Sequence, residues 1–428
     1  MALYDFWWVM VKLKLRYFIF GVMNSTQIFE MALGLAKPWY VSKIDMVKPT
    51  TDGLQGQLDI YLDFEKGFKF PGGKTHDTVE RTWQHLNFFQ HKCFLHARVP
   101  RVQTQEGKTE TVKVPWARPG SGFTLLFEAF SMLLIESEMP VTKAAVIMDV
   151  YPQRLWNMFS YWVEKAHQAD KQSEVTVLGI DETSSKKGHS YVTVAVDMEQ
   201  RRVVYAVSGK GADTIDKIAR HLQEKGSEQK QIKQTCIDMS PAFISGILHN
   251  FKDASITFDK FHVVKLINEA MDKVRKLERK EFDMLKGYKY TFLKNNKNLS
   301  EQAREAKYNI LELMPSIPNA YRLKELFAAF WSFKTKEEAG AYLAYWCDLA
   351  EESKIFPFIQ AAKTLKAHWF GIINYSETNL NNGILEGINS KIQLAKKRAR
   401  GYRNINNFIN MIYFIAGKLK FDYPLYST

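Results

Sequence analysis

The chain is predicted to be an α/β protein. It should hold a mixed sheet with helices, interrupted by an all-α segment and preceded by a small β-rich module and a helical domain. Three observations predict this. Apolar, β-branched runs alternate with helical periodicity from Val175 to Phe258. An almost wholly helical pattern follows over 262–370. Short β-like runs separated by turn clusters fill 40–118, ahead of both.

In the α/β part, Val175–Ile180, Tyr191–Val196 and Arg202–Val207 read as strands, the last two joined by a turn around Asp197–Gln200. Ala212–Lys225 reads as a helix and Gln234–Ile237 as a fourth strand. Pro241–Asn250 is a helix with proline at its start. Ala254–Phe258 is a fifth strand. A three-strand meander followed by strands separated by helices is the order of a ribonuclease H-like fold, a likeness of fold alone.

The other segments follow from the same rules. Leu58–Phe64 and Cys93–Val99 are β-like, with Pro71-Gly72-Gly73 between them and Pro115, Pro119 and Gly120 closing the module. Ser121 is placed to cap a helix through Leu134, and Val141, Ala144, Ala145 and Val146 share one face of a second. A turn near Asp149–Pro152 leads to a third helix carrying Arg154, Trp156, Asn157, Tyr161, Trp162 and Lys165. This is a helix-turn-helix pattern, although any three-helix bundle reads alike. In the helical stretch, basic residues are dense over Lys273–Lys307, and Pro315 and Pro318 mark a break. Trp331, Tyr342, Tyr345, Trp346, Phe356 and Phe358 are expected to fill a helical core.

The formal charge of +13 suits a polyanionic partner but is equally the mark of a basic, soluble surface. Three dispersed cysteines, Cys93, Cys236 and Cys347, argue against a disulfide framework, and the chain has no CxxC zinc pair. Residues 1–22 are apolar and aromatic, but Lys12, Lys14 and Arg16 break the run, which argues against a membrane span. The stretch reads as an upstream extension before the helix start at Asn24-Ser25-Thr26, with an amphipathic helix as the alternative.

Three acids stand out by position. Asp181 is read as ending the first strand and Asp238 as ending the fourth, where open sheets bind ligands. Two carboxylates on adjacent strand ends suit Mg²⁺ or Mn²⁺, whereas a single such aspartate more often only starts a turn. Glu386 lies early on a late helix, with Asn389 and Gln393 at i+3 and i+7 on its face. Six basic residues follow it: Lys391, Lys396, Lys397, Arg398, Arg400 and Arg403. A carboxylate ahead of a basic helix suits a phosphodiester site, although the basic run alone could be a solvated face. Asp259 and His262 form a D-x-x-H at a strand-to-helix junction. They read equally as an accessory pair at the scissile DNA and as a helix cap with a buried histidine.

Together these stretches resemble the DDE transposases of bacterial insertion sequences, closest to the ISL-three family. The matching segments are Val114-Pro115-Trp116-Ala117, Gly179-Ile180-Asp181-Glu182, Asp238-Met239-Ser240, Asp259-Lys260-Phe261-His262, Asn382-Gly383-Ile384-Leu385-Glu386-Gly387-Ile388-Asn389 and Gly401-Tyr402-Arg403-Asn404. The likeness runs from about Met23 to the C-terminus. It puts Asp181, Asp238 and Glu386 on the family's catalytic, metal-binding positions. From Asp238 to Glu386 is 148 residues, against 57 from Asp181 to Asp238, and in related transposases such a gap holds a helical insertion domain.

The resemblance implies an N-terminal extension and helix over 1–39, a β-rich, degenerate zinc-finger-like module over 40–120 and a helix-turn-helix-like domain over 121–170. The first part of a ribonuclease H-like core would follow over 171–262, a helical insertion over 263–375, and the last part of the core over 376–428. It further implies double-stranded DNA partners, namely transposon terminal inverted repeats and target DNA. A homodimer or larger assembly on DNA and a cytoplasmic, nucleoid-associated setting are expected, with no membrane. Asp181 would bridge two metal ions about 4 Å apart, Asp238 and Glu386 holding one each, while water and then a 3′-OH attack phosphodiesters. Arg154, Lys165 and the six basic residues after Glu386 would contact DNA. A nuclease without strand transfer and a transposase-derived DNA-binding regulator are the rival readings.

There is one departure from the family pattern. The family's cysteine-bearing zinc module corresponds here to 69–74 and 102–108, and neither stretch contains cysteine. His76, His85, His91, Cys93 and His96 match no zinc spacing, so zinc is doubtful. The module is expected to fold on β pairing with Trp83, Phe88 and Phe89 as core.

Overall fold

The computed structural model describes residues 24–48, 56–104, 106–186, 190–280, 285, 287–311, 316–378, 380 and 383–423. The expectations for 1–22, for the break at Pro315 and for helix capping by Asn381 and Asn382 lie outside the described residues. The chain divides into two compact units, Met1–Tyr161 with Phe421–Thr428, and Trp162–Lys420.

In the first unit, helix α1 (Ser25–Ala32) opens on a capping box: the Asn24 side chain accepts from Gln27 N, and Gln27 Oε1 accepts from Asn24 N. Strands β1 (Trp39–Val47), β2 (Gln57–Phe64), β3 (Lys74–Phe88), β4 (His91–Gln103) and β5 (Thr109–Thr111) form one sheet. Its order is β1-β2-β4-β3, with β5 on β4 and only the β2–β4 pair parallel. Its core is aromatic. Trp39 and Trp116 meet edge to face at 4.9 Å, Trp83 and Trp116 at 5.7 Å, and Phe70 packs on Trp39. Trp83 is therefore core, as expected, but Phe88 and Phe89 are not: they are 38% and 81% exposed. They sit at the β3–β4 hairpin tip, where Phe89 takes a positive φ of 51° and the chain leaves the buried face.

Three helices follow: α2 (Leu125–Glu136), α3 (Val141–Ile147) and α4 (Pro152–Ala169), the last crossing the unit boundary. Ser121 does not cap α2. Thr124 does, its hydroxyl accepting from Phe127 N at 3.3 Å. Ser121 donates instead to Glu128, a fully buried carboxylate that Arg118 holds at 2.9 Å. Burial of that charge claims the nearby hydroxyl before the helix end can use it. The turn into α4 is where the sequence put it, with Asp149 at φ 51°. Leu155, Met158 and Phe159 are buried, while Arg154, Asn157 and Lys165 are exposed.

The second unit is built on strands β6 (Val177–Ser184), β7 (Tyr191–Asp197), β8 (Arg202–Ser208), β9 (Gln234–Ile237) and β10 (Ser255–Phe258), in the order β10-β9-β6-β7-β8. β6, β7 and β8 form an antiparallel meander, and β9 and β10 add in parallel on the other side of β6. Helix α5 (Ala212–Glu224) links β8 to β9, and α6 (Pro241–Asn250), with proline in its first turn, links β9 to β10. β7 is buried from Val192 through Asp197, the pattern of a strand covered on both faces. The sheet is thus mixed and helix-flanked, as the alternation of runs predicts.

After β10 the chain is helical. Described helices are α7 (Lys260–Glu278), α8 (Lys289–Leu293), α9 (Glu301–Leu311), α10 (Ile317–Phe327), α11 (Lys336–Glu352) and α12 (Phe356–Ala367). Pro318 lies in the first turn of α10. Trp346 is fully buried against Phe327 and Phe358, and its indole N–H donates to Leu323 O at 2.8 Å. Trp331 and Tyr342 are half-buried, whereas Tyr345 and Phe356 are 53% and 69% exposed and do not join the core. Each lies on the outer side of a helix whose other side carries Trp346 or Phe358.

Four short and long helices then return to the sheet: α13 (Trp369–Ile373), α14 (Tyr375–Thr378), α15 (Gly383–Arg398) and α16 (Ile405–Ala416). Gly371 lets α13 press on β10, since a Cβ there would lie 2.5 Å from the Phe258 ring. Asn374 donates to Ile256 O at 2.7 Å, satisfying part of the β10 edge. α16 closes on β8, with Ala206 N donating to Tyr413 Oη at 3.0 Å. Among the described residues, no helix is long and apolar enough to cross a membrane.

Trp346 fixes the helical layer, so Trp346→Ala should destabilise the second unit by about 3–5 kcal/mol, the range for deleting a buried aromatic. Denaturant unfolding followed by far-ultraviolet circular dichroism measures this; a loss under about 1 kcal/mol would contradict the packing described.

Candidate active site

Asp181 does not end its strand. β6 runs on to Ser184, because its antiparallel partner β7 continues the ladder through Asp181↔Val194 to Ser184↔Tyr191. What ends near Asp181 is the parallel pairing with β9, whose last pair is Gly179↔Cys236. One pleat further along both chains come Asp181 and Asp238, so the register sets the two aspartates side by side. Asp238 follows the last residue of β9, and its Oδ1 accepts from Ser240 N at 2.9 Å, which turns the chain into α6. β10 is in register with β9 through Phe258↔Ile237, so Asp259 emerges at the same level. Its Oδ1 accepts from Phe261 N at 2.6 Å, capping α7, and its Oδ2 lies 3.6 Å from His262 Nε2. Of the two sequence readings of the D-x-x-H, the structure shows the helix cap by the buried Asp259, with His262 half-buried beside it.

The glutamate helix is fastened to β6 residue by residue. Asn389 Nδ2 donates to Asp181 Oδ2 at 2.5 Å, Gln393 Nε2 to Thr183 Oγ1 at 2.6 Å, and Lys396 Nζ to Ser184 O at 2.6 Å. These positions recur every three to four residues, one stripe of α15. Leu385 packs beneath the stripe. A Cβ on Gly179 would sit 3.0 Å from Leu385 and 2.5 Å from Met198, so glycine makes room for the helix. Glu386 stands three residues before Asn389 on the same stripe and is exposed.

The electrostatics join these groups. Burial pushes the Asp181 carboxyl up from its ordinary value, and the charge on Asp238 adds to the rise, while His262 opposes it. Asp259 is pushed up to about 6, first by burial and also by Asp181 and Glu386. Glu182 is raised too, by burial and then by Asp238 and Asp181. Asp181 thus feels Asp238 and His262, and Asp259 feels Asp181, Glu386 and His262. Among the described residues, however, no three His, Cys, Asp or Glu side chains are close enough to hold one metal ion. The donor type, carboxylate oxygen, is nonetheless the one a hard divalent cation prefers.

Sequence reasoning left Asn389 without a role, although its i+3 spacing from Glu386 was the signal, and it did not single out Glu182 beyond the motif. Lys396 was expected on DNA; its ammonium is instead turned to Ser184, as the spacing i+10 from Glu386 on the inner stripe requires. Lys391, Lys397, Arg398, Arg400 and Arg403 are exposed. Arg154 lays its guanidinium over Phe123 at 4.4 Å, and Lys165 its ammonium over Trp162 at 5.1 Å.

A family model described as "Transposase", that of the ISL3 type, matches residues 178–412. The helix-turn-helix domain of transposase family ISL3 matches 112–163, and the zinc-finger of transposase IS204/IS1001/IS1096/IS1165 matches 72–106. The transposase for insertion sequence element IS1557 of Mycobacterium tuberculosis is 27% identical over 354 residues, 76% of this chain and 79% of that protein. The transposase for insertion sequence element IS1001 of Bordetella parapertussis is 27% identical over 345 residues, 78% of this chain and 84% of that protein.

The zinc-finger match covers β3 and β4, and the side chains there do not fit a structural zinc. Cys93, the one cysteine of that stretch, is 2% exposed, and burial raises its thiol to about 12. His85 Nδ1 is 2.7 Å from Thr124 Oγ1, and His96 lies 2.7 Å from Asp59 and 2.9 Å from Thr82. Structural zinc asks for four ligands, with thiolates ionised. With its central region matched from β6 to α16 and its upstream modules matched in order, the chain belongs to the ISL3 family of transposases.

Proposed function

We propose that this protein is a DNA transposase that binds transposon ends, cleaves phosphodiester bonds there and joins the freed 3′-OH ends to target DNA. The observation that carries the reading is the lacing of α15 to β6, which brings Glu386 to the sheet end where Asp181 and Asp238 stand in register. The strand order β10-β9-β6-β7-β8 supports a ribonuclease H-like core. The helices from α7 to α12 lie in the chain between that sheet and the returning α13–α16, which supports their being an insertion.

Asp181, Asp238 and Glu386 would hold divalent cations, magnesium or manganese. When bound, such ions polarise the scissile phosphate and ionise water near neutral pH. The protein's own groups do the rest. Asn389 holds Asp181 in one rotamer by occupying Oδ2. His262 places a titratable group 3.6 Å from Asp259, beside the acids. The exposed cations at the C-terminal half of α15 neutralise flanking phosphates, and the helix-turn-helix region presents Arg154 and Lys165 to duplex DNA. Paired ends would be held by a homodimer or larger assembly.

Asp181→Asn, Asp238→Asn and Glu386→Gln should each lower Mg²⁺-dependent cleavage of end DNA by more than about 10³-fold while leaving end binding intact. Asn389→Ala, which frees Asp181 without removing a carboxylate, should cost about 10- to 100-fold. Single-turnover cleavage on purified variants measures both, and full activity of any of the three acid variants ends the assignment.

Asp259 is harder to ionise in the folded chain than in the unfolded one, about 6 against an ordinary 3.8. Its neutral form therefore favours folding below about pH 4, and that contribution fades as pH rises through 6. Without metal, the melting temperature of the wild type should fall relative to Asp259→Asn between those pH values. Parallel curves would show that the carboxyl is not strained.

Because the N-terminal module packs on tryptophans, stripping metal with a zinc chelator should leave its thermal unfolding unchanged, and purified protein should contain less than one zinc per chain. A stoichiometric zinc lost with a drop in melting temperature would refute the metal-free fold.

A further inference from the structure

Beside the carboxylates lies a second feature that the proposed chemistry does not use. Lys260, next to Asp259 at the start of α7, forms one wall of a cavity of about 930 Å³. Lys297, Arg304 and Lys324 also line it, with Glu325 the single acid and Trp331 among the lining residues. Lys324 is fully answered, by Lys294 O, Asn295 Oδ1 and Glu325 Oε1, while among the described residues the other three cations face no carboxylate of their own. Glu325 pairs with Lys324 at 2.9 Å. Among the described residues, Lys260, Lys297 and Arg304 form no ion pair. Lys260 lies over the Trp331 ring at 4.8 Å and the Tyr375 ring at 5.4 Å.

Two donors are left over. Arg304 Nε and Trp331 Nε1 are buried and bond to no acceptor. Buried donors are almost always satisfied, and exceptions call for an absent partner. Burial and the neighbouring Lys297 lower the Lys260 ammonium, and burial lowers Lys324. A cavity that gathers four cations around a single acid matches one ligand chemistry: phosphate oxygens. A free polyphosphate or nucleotide shares that chemistry with a nucleic-acid strand. Position favours the strand, because the cavity adjoins the acids through the single step from Asp259 to Lys260.

We infer that this basic cavity in the helical layer binds the phosphodiester backbone of a DNA strand immediately beside the bond being cut. The inference rests on the transposase reading for the site of cutting, but its test needs no cleavage. Full-length protein in EDTA is titrated with a fluorescent single-stranded oligonucleotide at several KCl concentrations, and anisotropy gives affinity and salt slope. Lys297→Glu and Arg304→Gln are compared with wild type, with melting temperature as the check on folding. Each should weaken binding about tenfold and reduce the slope of log K against log salt by about 0.7 for every phosphate that is no longer neutralised. Sodium tripolyphosphate should compete only at millimolar concentration. Wild-type affinity and slope in the folded variants overturn the site. Displacement of the strand by micromolar tripolyphosphate overturns the strand as its ligand. If Arg304→Gln does not fold, Lys297→Glu, whose side chain is exposed, decides alone. Loss of cleavage in Asp181→Asn with strand binding retained separates this result from that of the acidic site.

Discussion

Carboxylates gathered at one end of a sheet repel one another and resist burial, and the fold of the second unit must hold them there regardless. Asp181, Asp238 and Asp259 arrive at a common level because β6, β9 and β10 are parallel and in register. That arrangement is costly in isolation, as the upward shifts of Asp181 and Asp259 record. What offsets it is fixed polar support. Backbone N–H groups of Glu182, Ser240 and Phe261 each take one carboxylate oxygen, and Asn389 takes another.

The same constraint explains the architecture around it. Glu386 must reach the sheet from a helix that follows more than a hundred residues of other structure, and side-chain bonds from a single stripe of α15 bring it there. Gly179 permits the approach by offering no Cβ to Leu385 and Met198. The helical layer between β10 and α13 packs Trp346, Phe327 and Phe358 into one core continuous with that of the sheet. The N-terminal module shows another route to stability. The sheet that carries the zinc-finger match packs Trp39, Trp83 and Trp116 edge to face, and an apolar core needs no ionised thiol.

Much of this was legible in the residues. β9 and α6 fall on the residues that periodicity and the Pro241 start signal marked, because short buried strands and N-terminal prolines are local properties. The turn before α4 was visible for the same reason. Misreadings had a common origin in partners distant along the chain. β6 looked finished at Asp181 because the polar residues Asp181, Glu182, Thr183 and Ser184 break its apolar run, yet β7 carries the ladder on. Ser121 looked like a helix cap until the buried Glu128 claimed its hydroxyl. Phe88 and Phe89 looked like core because aromatics usually are, but at the hairpin tip their rings pack on Phe29 and on each other at the surface.

The sequence by itself determined the mixed α/β class, the candidate acids, the basic run after Glu386 and the likeness to a transposase family, since each depends on local pattern or on residues quoted in place. Tertiary structure alone decided that Asp181 sits mid-strand opposite Val194, that Asn389 is the residue holding it, that Lys396 turns inward, and that Lys260 joins a basic cavity. The physical reason is that hydrogen-bond partners 208 to 212 positions apart leave no periodic trace in the chain; they exist only once the sheet and the last helices have met.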